Sequence, residues 1–145
     1  MPRGGAPGAF LMDRLRLEVA IHEAGHAVLA RALGLRSGRA TLRDHDGGAR
    51  AYFIPGDSID GVLAVLGGRA ASLELLGVAD EFGLLMADKF VQREPWYARI
   101  VRRQLIAQAR DLVRKHRDAV ERVADALLDR GTLTGREIDR LVFRK

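Results

Sequence analysis

The sequence predicts a mainly α-helical domain with one small β-hairpin or β-sheet element. Three observations lead there. Apolar residues recur at helical spacing through residues 18–34, 59–77 and 95–130, which together cover about half of the chain. Residues 36–55 break that pattern, with short β-compatible pieces at 40–43 and 50–54 on either side of the turn-forming DHDGG. Glycines stand where helices should stop, at Gly34, Gly77 and Gly131.

A chain of 145 residues is sized for one domain. It holds no cysteine, which removes disulfides, thiolate ligands and cysteine nucleophiles together, so any metal must be held by His, Asp or Glu. Charges interrupt every apolar stretch, leaving neither a run of about 20 apolar residues nor a signal-peptide core. The expectation is a cytoplasmic protein with no integral membrane segment. A net charge of +5 raises nucleic-acid binding as a class. No zinc finger, KH loop, RNP motif or Walker A sequence accompanies it, and a nucleic-acid partner is not expected.

Residues 1–9, rich in Gly and Pro, read as a flexible end, and residues 10–17 lead into the first long helix. That helix carries the chemistry. In EVAIHEAGHAVLARALG, residues 18–34, His22 and His26 stand four apart with Glu23 directly after the first. On a helix, positions i and i+4 share a face, so both imidazoles can reach one zinc ion, while Glu23, rotated by about 100°, sits beside a metal-bound water. Zinc lowers the pKa of such a water, and Glu23 is placed to take its proton as it attacks a polarised carbonyl. Peptide-bond hydrolysis by a zincin-type site is the implied reaction, with zinc preferred over other divalent ions by ligand chemistry.

The hairpin beside this helix has a use, since its edge can pair with an extended peptide. His45, in the polar turn between Asp44 and Asp46, suits solvent better than the metal. Asp57 or Ser58 can cap a helix over residues 59–77, with Val62, Leu63, Leu66, Ala70, Leu73 and Leu76 as its apolar stripe. Gly67 and Gly68 are costly inside a helix and make sense if another backbone approaches closely there. After Gly77 a short junction leads to DEFGLLMADKFVQ, a further helix from Asp80. The stretch from Pro95 to Gly131 is too long for one helix and should break near residues 116–118. Its basic segment, residues 93–117, reads as a solvated helix face. Thr134 and Glu137 then form a capping-box pattern for a terminal helix bearing Ile138, Leu141 and Val142.

Two histidines do not complete a hydrolytic zinc site, which ordinarily has three protein ligands and one open position. Without an HExxHxxGxxH extension, the third ligand should be a carboxylate from another helix. Asp80 and Glu81 are the best pair, because the Gly77 junction can aim a helix start inward; Glu74 and Asp88 are weaker candidates.

HEAGHAVLARALG, the following TLRD, LGGRAASLELLG and the tail ARDLVRKHRDAVERVADALLDRGTLTGREIDRLV resemble, in that order, the zinc peptidase domain of the FtsH-type ATP-dependent proteases. The resemblance covers nearly everything after Leu17 and implies a single peptidase domain over residues 10–145. It implies that His22, His26 and a distant aspartate bind zinc and that Glu23 is the general base. The family pattern of glycine, three residues, then aspartate meets GVADEF here: register selects Glu81, residue type Asp80. A second departure is Ser72, where the family commonly has glutamate after GGRAA. The sequence contains no Walker A lysine, ATPase-sized segment or membrane anchor, so hydrolysis without nucleotide use of its own is the expectation. The partners implied are a peptide or unfolded-protein substrate, a homo-oligomer and a separate unfoldase. A catalytically weak, metal-bound regulatory or interaction protein is the alternative.

Overall fold

The computed structural model describes residues 7–43, 49–54, 59–77 and 98–144. Within them the fold is mainly helical, with a small three-stranded antiparallel sheet beside the histidine motif. The elements run α1 (Pro7–Ala32), β1 (Ser37–Thr41), β2 (Arg50–Phe53), α2 (Ile59–Leu76), α3 (Ala98–Lys115), α4 (Arg117–Arg130), β3 (Thr132–Leu133) and α5 (Gly135–Val142). His45, Asp57, Ser58, the helix expected from Asp80, and Pro95 lie outside the described residues.

Helix α1 is the hub. It is longer than the sequence implied: Pro7 and Gly8, assigned above to a flexible end, already belong to its first turn. Its second half is buried almost continuously, with Ala20, Ala24, Val28, Leu29 and Ala30 all fully or nearly fully inaccessible. Gly34, at φ 74°, ends it in a Schellman arrangement in which Leu35 N–H donates to Ala30 O and Gly34 N–H to Arg31 O. The chain leaves that cap directly into β1, so the strand starts at Ser37, earlier than the expected residue 40.

The sheet order is β2-β1-β3. The hairpin forms as expected, with Ala40 opposite Ala51 and Thr41 opposite Arg50, and a one-residue irregularity between Ser37 and Ala40. Strand β3 is a finding the sequence did not signal. Two residues cannot show alternation, and Leu133 and Thr132 become a strand only by pairing with Ala40 and Thr41.

Helix α2 packs on α1 at a close crossing. A Cβ added at Gly25 would collide with Gly67 O, and one at Gly67 would meet Gly25 O at 2.8 Å, so two glycines let the backbones touch. Residues Gly61 to Gly68 are buried without interruption, which makes the first half of α2 apolar all round rather than a single stripe. The core then extends through Leu105, Ala109 and Val113 of α3 and Val120, Val123 and Leu127 of α4.

The expected break falls at His116, between α3 and α4. His116 is half-buried there rather than on an open face, and burial first, then the charge of Lys115, pushes its imidazole pKa down. Gly131 stops α4 with φ 79°, and the Thr134 and Glu137 capping box starts α5. One buried cation ties the ends of the chain together: Arg31 donates to Asp139 Oδ1 at 2.8 Å and to Gly38 O at 2.7 Å, linking α1 to α5 and β1. No helix among the described residues is long and apolar enough to cross a membrane.

Candidate metal centre

His22 and His26 project from consecutive turns of α1, and their rings meet edge to face at 4.5 Å between centroids. The two Nε2 atoms are 2.9 Å apart. A single ion at the usual Zn–N distance of about 2.0–2.1 Å can bridge that gap. His26 Nδ1 lies 2.9 Å from the carbonyl of Ala64 on α2. A carbonyl only accepts, so Nδ1 carries the proton and the Nε2 lone pair is left facing His22. This backbone contact fixes the ring orientation in the way that outer partners of metal-bound histidines do.

Glu23 is buried, at 8% exposure, and its carboxylate together with the two imidazoles forms a set whose ligand atoms all lie within 4.8 Å of one another.

Opposite the histidines, α2 presents Gly68. A Cβ there would stand 2.6 Å from His26 Nε2 and 2.7 Å from His22 Nε2. Any other residue would fill the space on which both Nε2 atoms converge. The fit to a metal therefore rests on three features: two converging nitrogens, a tautomer set by Ala64, and a glycine that keeps the convergence point open. The sequence marked Gly67 and Gly68 as a site of close approach, which holds for Gly67 against Gly25. That Gly68 faces the histidines depends on the rotation of α2 about its axis, which the sequence did not reveal.

The centre opens into a cleft of about 300 Å³. Val65 of α2 forms one wall, and Ala51 and Phe53 of β2, with Ala49 and Arg50, form the other. The Phe53 ring lies 5.9 Å from that of His26. Strand β2 is at the sheet's edge, and no strand among the described residues pairs with its outer side.

No family model matches this chain, and no curated protein matches it.

Of the remaining candidates, Asp80, Glu81 and Asp88 lie outside the described residues. Glu74 does not serve the centre. Its carboxylate is gripped by Arg110 Nε at 2.6 Å and Arg114 Nε at 3.0 Å, on α3. Burial raises its pKa, but these two guanidinium hydrogen bonds outweigh that and hold it below the usual carboxylate range. Ser72, where the resembled family carries glutamate, is buried at 6% exposure. The basic segment is partly absorbed by ion pairs as well: Arg110 and Arg114 go to Glu74, Arg114 also to Asp111, and Arg117 to Glu121.

Proposed function

We propose that this chain is a zinc-dependent metallopeptidase, an endopeptidase or oligopeptidase acting on short or unfolded peptides. The observation that carries the reading is the convergence of His22 and His26 over Gly68, with the Glu23 carboxylate close to both, in a cleft walled by a sheet edge. A bound zinc ion supplies a Lewis acid that brings the pKa of a coordinated water toward about 7. His22 and His26 would hold the ion, and Ala64 O, accepting from Nδ1, fixes the orientation of the His26 ring. Glu23 takes the proton of the attacking water on a carboxylate oxygen and passes it to the nitrogen of the departing amine. The edge of β2 holds the substrate extended, so that its scissile carbonyl comes to rest against the centre. Asp80 or Glu81 supplies the third ligand.

The order of HExxH helix, hairpin, GG-containing helix and helical tail supports a domain of the FtsH peptidase type over residues 10–145; a cytoplasmic location and hydrolysis without nucleotide use of its own belong to the same proposal. A homo-oligomer and a separate unfoldase are the partners that type would bring. Ser72 favours the second reading, a catalytically weak metal-bound regulatory protein, because it stands where the resembled family commonly carries glutamate.

One experiment separates them. Glu23→Gln should keep one zinc per chain and lose peptide hydrolysis by about 100-fold or more. Unchanged hydrolysis sinks the mechanism, and absence of hydrolysis in both proteins with zinc retained selects the second reading. Zinc affinities of Asp80→Ala and Glu81→Ala identify the third ligand by which one falls; no loss in either removes that junction from the site.

A further inference from the structure

The face of α1 that carries the histidines continues beyond them. Leu15, Val19, His22 and His26 follow one another at intervals of four, three and four residues, so on a helix they fall within one narrow arc. Ala20, Ala24 and Val28, buried in the core, lie on the opposite side. Leu15 and Val19 are exposed, at 46% and 37%. Two large apolar side chains thus stand on the solvent side of the helix, in line with the histidines. Their charged neighbours on one flank, Arg14 and Glu18, pair with each other at 3.2 Å. Strand β2 gives this ridge a direction. Phe53 lies against His26, and Ile54 N–H donates to Arg36 O, past the end of α1. The strand therefore runs toward the C-terminal end of α1. A peptide paired antiparallel with its edge runs the other way, over His26 and His22 and on to Val19 and Leu15.

We infer that Val19 and Leu15 select apolar side chains at alternate substrate positions on the C-terminal side of the scissile bond. The inference rests on the peptidase reading, which puts the scissile carbonyl at the histidines. At about 1.5 Å per helical residue, Val19 and Leu15 stand about 7.5 and 13.5 Å along the axis from the midpoint of the two histidines. An extended peptide advances about 3.3 Å per residue, so these are roughly its second and fourth residues past that carbonyl. The repeats agree as well. Four helical residues span about 6 Å, close to the spacing of about 6.6 Å at which side chains recur on one side of a strand. Two successive side chains on one side of the substrate therefore meet Val19 and Leu15 in turn, and the one between them points away and goes unselected. An apolar side chain at either position leaves water together with the residue beneath it, whereas a charged one gives up hydration against an apolar surface.

The test uses the full chain loaded with zinc. Products cut from an unfolded protein, sequenced by mass spectrometry, should show Leu, Ile, Val or Phe enriched at the second and fourth positions after the cleaved bond. Val19→Gln should erase the enrichment at the second position only, and Leu15→Gln at the fourth only. Each should lower kcat/KM for a peptide with leucine at both by about 10-fold, chiefly through KM, with zinc content unchanged. Val19→Arg should replace the apolar preference at the second position by an acidic one. Cleavage without positional preference, or with a preference that these substitutions leave in place, overturns the inference and leaves the peptidase reading intact. Where the wild type cleaves nothing, binding decides, read by anisotropy of a fluorescent peptide with leucine at alternate positions. Binding weakened about 10-fold by Val19→Gln then supports the inference and defeats the peptidase reading. Absent binding, or binding that Val19→Gln leaves unchanged, defeats both. A wild-type dimer that Val19→Gln makes monomeric without altering cleavage overturns the inference and assigns the ridge to a second copy of the chain.

Discussion

At the scale of single residues the centre depends on what is absent as much as on what is present. His22, Glu23 and His26 were legible because the spacing of ligands on a helix is a property of the helix itself. Gly68 was not, because its role comes from a second helix laid across the first. It yields a sharp expectation. The atoms that a Cβ at Gly68 would strike are the far ends of two imidazoles, which can rotate away, and replacing a helical glycine by alanine favours the helix by about 1 kcal/mol. Gly68→Ala should therefore leave the metal-free protein within about 1 kcal/mol of wild type, because the helix gain offsets the His26 to Ala64 hydrogen bond given up as the ring turns, while zinc bound per chain falls well below one. Thermal unfolding of the metal-free protein and metal analysis after gel filtration check the two halves separately. Zinc binding at wild-type affinity would show that the ion does not occupy the space over Gly68.

At the scale of elements, the adjacent glycine behaves in the opposite way. A Cβ at Gly25 or Gly67 would strike backbone of the other helix, which cannot swing aside, so α1 and α2 would have to separate. Gly25→Ala is expected to destabilise the fold by about 1–3 kcal/mol despite its better helix propensity, measured as a lower denaturant midpoint. It should also weaken zinc binding, because Ala64 O reaches His26 only across that crossing. Equal stability of Gly25→Ala and wild type would mean that the helices are not held at backbone contact.

The elements whose signals are local were readable in advance: the His116 break, the Gly131 stop, the Thr134 cap and the hairpin. Strand β3 was not, since it exists only through its partners on β1. The early start of β1 follows from the Schellman cap at Gly34, a backbone event with no side-chain signature beyond the glycine. The all-round burial of α2 also exceeded what its stripe implied, because a stripe reports one neighbour and this helix has α1 and α3 against it.

At the scale of the whole molecule, three arginines among the described residues fasten elements to one another. The net positive balance suggested an outward use, yet α3 spends Arg110 and Arg114 on Glu74 of α2, and α1 spends Arg31 on Asp139 of α5. The first of these fastenings has a pH dependence whose sign can be worked out. Glu74 is held below its ordinary pKa in the folded chain because its two arginine hydrogen bonds outweigh burial. A carboxylate lowered on folding stabilises the native state fully above its unfolded pKa and loses that contribution as pH falls through the folded value. Unfolded glutamate titrates near 4.3, so the contribution should be whole at neutral pH and fade only below about 4. Glu74→Gln retains the shape and removes the charge. Metal-free wild type should thus melt at a higher temperature than metal-free Glu74→Gln at neutral pH, and the two curves should converge as pH drops below that range. Using metal-free protein keeps protonation of His22 and His26 from entering through zinc loss. A gap that persists unchanged in acid would show that Glu74 supports the α2 and α3 contact through its packing and not its charge. The consequence for the centre is direct, because α2 carries both Glu74 and Gly68: the helix that keeps the metal space open is fastened on its other side by an ion pair.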